Sequence, residues 1–342
     1  MKAGIYNGVG KVEVMEIAKP ECTVGAIIVK NIRSGICGTD LHAYTLEGEG
    51  VGILPGNQFG HEMAGVIYES EADGFRPGTS VFINPCTFRE PTDEMSILMC
   101  CDMAGAFSQY VRVDKPQWEY NVFRLTDDLP WDVAALIEPI SVALNGILLC
   151  DPKKGQKAVI YGGGIIGLCA LACLRYLGIE DVIVTARNPL RSGKVTEMGG
   201  ILCDTNETTV PEFVMERWGC STGNSGEAIW DVDIVLDCAG YEGVLEEAVK
   251  YSKPGSYVSV VALGTSEERF TGRDIAFKAV HIVGSFAYTP EVNRQVIDMI
   301  SDRPELFAPV VTATYGLTEI TDAFEAAKVS SKNVKVLIDL AK

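Results

Sequence analysis

The sequence predicts an α/β chain of two domains, a doubly wound parallel sheet and a second, β-rich domain. Its 342 residues suffice for about two domains of ordinary size. In the first half, residues 26–33, 62–68, 80–84 and 107–113 alternate or run apolar, with Gly and Pro between them, the pattern of short strands and turns. From residue 157 the pattern changes. Apolar strands at 158–161, 181–186, 234–238 and 257–262 alternate with helical segments, the first helix running through Tyr176, which implies parallel βαβ units. A glycine-rich turn, Gly162-Gly163-Gly164-Ile165-Ile166-Gly167, directly follows the first of these strands. After Gly284 only a helix (290–301) and a strand (335–340) remain, too little for a third domain, and they are expected to rejoin the first. The β-rich domain is therefore set at 1–149 with 285–342, and the parallel-sheet domain at 150–284. Segment 87–105 has weak periodicity and reads as a long surface loop.

Composition excludes several classes. Hydrophobic residues at 47% and charged ones at 22% argue against a disordered or coiled-coil chain. The net charge of −17 repels nucleic acid and anionic lipid, so neither is an expected partner. The longest apolar runs, such as 160–174, carry several glycines and fall short of the roughly 18 residues a membrane span needs. The start Met1-Lys2-Ala3-Gly4 lacks the apolar core of a leader, so the cytoplasm is the expected location. Eleven cysteines, scattered along a long chain, favour free thiols and metal ligation over bridges. Most, including Cys169 and Cys173 in an apolar helix pattern, read as small buried hydrophobes.

The glycine turn places Gly162, Gly164 and Gly167 at the three positions of a dinucleotide fingerprint, between strand and helix. Such a Rossmann-type turn binds a pyrophosphate at the helix N-terminus, where Ile165 and Ile166 belong to the expected cofactor site. The next strand ends at Ala186, where an NAD-binding fold usually presents a carboxylate to the ribose 2′-hydroxyl. Arg187 follows at once and Arg191 lies one helical turn on, so two guanidinium groups are available to a 2′-phosphate. NADP(H) is the expected cofactor, in preference to NAD(H).

Two short clusters in the β-rich half combine sulfur, nitrogen and oxygen donors: Cys37-Gly38-Thr39-Asp40-Leu41-His42 and Gly60-His61-Glu62. Zinc accepts this mixture. The chain has three histidines, and the third, His281, falls in an apolar strand pattern and reads as structural. At full length the chain resembles the zinc-dependent medium-chain alcohol dehydrogenases, in particular the branch of sorbitol, threonine and butanediol dehydrogenases. The resemblance rests on Gly35-Ile36-Cys37-Gly38-Thr39-Asp40-Leu41-His42, Gly60-His61-Glu62-Met63-Ala64-Gly65, Glu138-Pro139-Ile140-Ser141-Val142-Ala143 and the glycine turn, in matching order.

The resemblance implies a GroES-like fold for the β-rich domain, Cys37 and His61 as zinc ligands, and Glu62 as a carboxylate that ligates or sits behind the metal. Glu138 stands in the place of a further ligand or of the residue holding the zinc-bound water. Thr39 and His42 would form the proton relay, and Asp40 would orient His61. A homo-oligomer, dimer or tetramer, is implied as well.

Two departures from the family pattern matter. Family members often hold a second, structural zinc with four closely spaced cysteines, but here only Cys86, Cys100 and Cys101 occur in that stretch. One zinc per chain is expected, with an irregular second site recruiting Glu90, Asp93 or Glu94 as the alternative. At the substrate positions, a tyrosine is replaced by Ala43 and an Arg-Tyr pair by Phe286-Ala287-Tyr288. A roomier, more apolar pocket follows, suited to a secondary alcohol or ketone, unless Tyr44, Trp118 or Arg112 supplies polarity. The alternatives are an NAD(H)-dependent polyol, diol or amino-alcohol dehydrogenase of the same branch, and a nonenzymatic nucleotide-binding redox sensor.

Overall fold

Strand Ala26–Gly35 is the hub of the first unit in the computed structural model, which describes residues 1–87, 96–97, 105–223 and 226–342. The chain divides into two units: Met1–Glu138 with Thr289–Lys342, and Pro139–Tyr288. In the first unit the strand order is Val122–Arg124, Ser80–Ile83, Glu62–Ser70, Ala26–Gly35, Lys335–Asp339, Val311–Gly316. Strand Tyr110–Asp114 pairs with the first half of Ala26–Gly35, and Lys335–Asp339 pairs with its end. The C-terminal strand thus rejoins the N-terminal half, as the sequence predicts. Every residue of Lys335–Asp339 is buried, which explains its nearly continuous apolar run.

Two details differ from the sequence reading. Strand Tyr110–Asp114 starts later than residue 107, because Gly105 (φ 108°) and the hydrogen bond from Ser108 N to Gly105 O make a turn there. Phe107 instead fills the core, its ring 4.8 Å from that of Phe59. A three-stranded sheet of Val12–Glu16, Lys2–Tyr6 and Asn57–Gln58 was hidden by the polar residues of its exposed face.

The second unit is a six-stranded parallel sheet: Ile201–Asp204, Asp181–Ala186, Lys157–Tyr161, Ile234–Asp237, Tyr257–Val260, His281–Gly284. Numbered along the chain this is the order 3-2-1-4-5-6, whose reversal beside the first strand opens the crevice where doubly wound sheets take their ligands. Helix Ile165–Tyr176 follows the first strand, and its residues 167–174 are buried. Helix Ile137–Leu148 belongs almost wholly to this unit, so the division falls at 138/139 and 288/289 rather than at 149/150 and 284/285. The reason lies in helix packing: a Cβ on Gly146 would stand 2.6 Å from Val261 Cγ2, and Asn145 Nδ2 donates to Ser285 Oγ at 2.9 Å. His281 has a structural place, its ring stacked on Tyr257 at 4.4 Å. No helix among the described residues is long and apolar enough to cross a membrane.

Candidate active site

Register brings the donor clusters together. Gly35 lies opposite Glu62 in the antiparallel pair of Ala26–Gly35 with Glu62–Ser70, so Cys37, just past one strand, meets His61, just before the other. Cys37 caps helix Gly38–Thr45, and its backbone N–H donates to Asp40 Oδ2 at 2.9 Å. Ligand atoms of Cys37, His61 and Glu62 all lie within 4.8 Å of one another. His61 Nδ1 and Asp40 Oδ1 are buried without a hydrogen-bond partner. A set of one thiol, one imidazole and one carboxylate with an orphaned ring nitrogen fits zinc, so the residues present suit the metal that the family pattern implies.

The electrostatics are those of a buried anionic cluster. Burial disfavours a charged His61, but Cys37, Asp40 and Glu138 outweigh it and raise the imidazole pKa well above its ordinary value. Burial pushes the Asp40 carboxyl up to about 6, against the opposing pull of His61 and the Cys37 N–H. Asp40 makes no hydrogen bond to His61 and acts on it through charge alone. Glu138 is buried and acts on His61 in the same way, outside the three-residue donor group. Thr39 is half-buried, its Oγ1 3.8 Å from Cys37 Sγ, and His42 is exposed on the same helix.

Lys335 was not anticipated. It heads the last strand, is 1% exposed, forms an ion pair with Glu62 Oε2, and donates to Ile36 O at 2.9 Å. Glycine at 35 makes room for this pair, since a Cβ there would strike Glu62 Oε2 and lie 2.7 Å from Lys335 Cε. The sequence signal is a charged residue opening a strand whose middle, Val336-Leu337-Ile338, is apolar.

The substrate positions read differently in three dimensions. Ala43 is fully buried, packs in the core with Tyr6, Tyr44 and Phe324, and does not line a pocket, which corrects the expectation placed on it. Tyr288 is likewise 1% exposed and offers no open wall, while Ala287 is half-buried with φ 53°. Tyr44, Trp118 and Arg112 are committed elsewhere: to Glu325 Oε1 (2.8 Å), to Gly74 O and the Phe75 ring, and to Asp114 (3.1 Å). Cys86 is buried, whereas Cys100, Cys101, Glu90, Asp93 and Glu94 lie outside the described residues.

In the second unit the glycine turn has the geometry its spacing predicts. Gly162 N donates to Thr185 Oγ1 at 2.8 Å, tying the turn to the neighbouring strand. A Cβ on Gly167 would strike Gly162 O and lie 3.2 Å from Ile160 Cγ2, so helix and strand pack too closely for any side chain. At Gly164 a Cβ would meet nothing within 4 Å, and Gly164 caps helix Ile165–Tyr176 with no side-chain bond to its N–H groups. Open space over free N–H donors is what a pyrophosphate requires. Ile165 and Ile166, the first helical residues, are half-buried.

Ala186 ends its strand, buried, with Arg191 Cβ beside Gly163. Arg187 is exposed, and Arg191 is half-buried with Nε lacking a partner. Burial lowers the Arg191 pKa. Asp204, paired with Ala186 in register, is occupied by Asn206 N and Nδ2, both at 2.9 Å, and neutralises neither arginine.

Comparison with known proteins agrees with both halves. Residues 23–124 match the alcohol dehydrogenase GroES-like domain, and residues 166–302 the zinc-binding dehydrogenase family. The chain is 26% identical to (R,R)-butanediol dehydrogenase of Neisseria gonorrhoeae and 28% to sorbitol dehydrogenase of Bacillus subtilis. The first match covers 99% of both chains, the second 99% of this chain and 97% of the relative. It superposes on the crystal structure of 2R,3R-butanediol dehydrogenase from Bacillus subtilis with TM-score 0.84, at 25% identity and over 99% of both chains. A nonenzymatic sensor is therefore set aside. The chain belongs to the zinc-dependent medium-chain alcohol dehydrogenases and is an alcohol or polyol oxidoreductase that works with zinc and a nicotinamide cofactor.

Proposed function

We propose that the enzyme moves a hydride between NADP(H) and a secondary alcohol or ketone with an apolar body, using one zinc per chain. The convergence of Cys37, His61 and Glu62 donor atoms within 4.8 Å carries the reading. Cys37 and His61 hold the metal with Glu62 as the third donor, and Glu138 adds negative charge beside them. When bound, zinc supplies Lewis acidity to a substrate oxygen, and the nicotinamide supplies or accepts the hydride. Thr39 takes the hydroxyl proton, and His42, exposed about one turn further along the same helix, releases it to solvent. Gly162, Gly164, Ile165, Ile166 and Gly167 cradle the pyrophosphate.

For the cofactor, Ala186 offers no carboxylate, and Arg187 and Arg191 form no ion pair among the described residues. In a chain of net charge −17 an unpaired, half-buried guanidinium has an anion as its natural partner. For the substrate, Tyr44, Trp118 and Arg112 are committed to other partners and do not replace the expected polyol contacts, which favours an apolar body. The names of the relatives favour the substrate class of a second reading, a diol, polyol or amino-alcohol dehydrogenase, for which NAD(H) is the alternative cofactor. We take the enzyme to work in the cytoplasm, and as a homo-oligomer, dimer or tetramer, the latter as the family resemblance implies.

The test is NADPH and NADH oxidation against a panel of ketones, hydroxyketones and ketoses, with and without chelator. kcat/KM for NADPH should exceed that for NADH by about tenfold or more, from one or two charge-assisted contacts. Equal or better use of NADH, or a best substrate among the ketoses, would favour the second reading.

A further inference from the structure

The ammonium of Lys335 stands where two ligand-bearing segments meet. It pairs with Glu62 Oε2 at the start of one strand and donates to Ile36 O, the carbonyl just before Cys37, at 2.9 Å. Both side chains of the pair are at least 98% buried, so water does not share their charge. Glu62, Cys37 and Glu138 are the anionic groups that act on it. Gly35 leaves the space both side chains fill. A buried cation so close to a metal-binding carboxylate does more than fill a core.

We propose that Lys335 is a positioning residue that tunes the zinc site: it holds Glu62 by one oxygen, offsets its charge, and keeps the carboxylate from serving the metal as an undivided anionic ligand. The inference rests on the zinc reading above. Lys335 repels a divalent cation and competes with it for Glu62, so its presence weakens zinc binding and leaves the bound site more electropositive. Removing it turns Glu62 wholly to the metal. A residue that merely supported the fold would act in the opposite direction, since its loss would loosen both strands and release zinc.

Competition against a chromophoric chelator at fixed pH measures zinc affinity directly, with the Cys37→Ser variant as the blank for any other zinc in the chain. Lys335→Met should bind zinc about tenfold or more tightly than wild type while kcat falls, and Lys335→Arg should stay near wild type. Glu62→Gln leaves the ammonium unpaired beside the metal and should weaken binding by at least about tenfold. If Lys335→Met does not fold by circular dichroism, Glu62→Gln/Lys335→Met is compared with Glu62→Gln, and the added change should still raise affinity, through loss of the ammonium's repulsion alone. Unchanged or weaker zinc binding on removing Lys335, in whichever folded pair is compared, would overturn the proposal. Absence of Cys37-dependent zinc in the wild type would overturn the zinc reading itself, a separate result.

Discussion

At the scale of single residues, the site depends on groups whose importance comes from what lies opposite them. Gly35 is such a case. Its missing Cβ houses the Glu62–Lys335 pair, so Gly35→Ala should cost about 1–3 kcal/mol of stability through overpacking and disturb zinc binding, read by thermal unfolding and metal content. His42→Ala should lower kcat by no more than about 10²–10⁴-fold, most at low pH where proton removal is hardest, and leave NADPH affinity unchanged. An unaltered pH–rate profile would remove His42 from the relay. Cys37, His61 and Glu62 were legible in the sequence because rare donor types sit in two short clusters. Lys335 was not, because its partner reaches it through strand register, which a linear reading of Lys335-Val336-Leu337-Ile338 does not contain. Ala43 misled for the opposite reason: alignment to a family position carries no information on burial, and here the methyl packs inside.

At the scale of elements, the parallel sheet was the easier half to read. Its strands are buried on both sides and so appear as plain apolar runs; Asp181–Ala186 coincides with the predicted span. The glycine turn joins two of these elements, and Gly167→Val should separate helix Ile165–Tyr176 from its strand. Nucleotide affinity should then fall by more than about tenfold in a calorimetric titration, with zinc content retained because the donors lie in the other unit. The β-rich half hid its first sheet, whose exposed residues break the alternation, and shifted one strand where Phe107 is a core residue of a turn.

A surface network supports the second unit at the other end of its strands. Asp231 accepts from Lys157 Nζ (2.6 Å) and Lys253 Nζ (2.7 Å), and these bonds lower its pKa below 3.8. A carboxylate with a depressed folded pKa contributes stability above its unfolded value and loses it as pH falls through the folded one. Asp231→Asn should therefore cost a few tenths to about 1 kcal/mol near pH 6, since the carboxylate is half exposed. The difference from wild type should close as pH drops below about 3.8, which acid-to-neutral unfolding curves would show.

For the whole molecule, the order of motifs along the chain was the most informative feature: donor clusters, Glu138, then the glycine turn, with the last strand returning to the first unit. The unit boundary was less legible, because helix Ile137–Leu148 is apolar and only the Gly146 and Asn145 contacts reveal which unit it joins. Everything proposed for the chemistry depends on a metal held by residues that the fold draws together from two separate clusters. Elemental analysis of the purified wild type and of Cys37→Ser tests this most directly. The account predicts close to one zinc per chain in the wild type and loss of that zinc in Cys37→Ser, with the far-ultraviolet spectrum unchanged. A folded Cys37→Ser protein that keeps the wild-type zinc content, or a wild type that carries none, would contradict it.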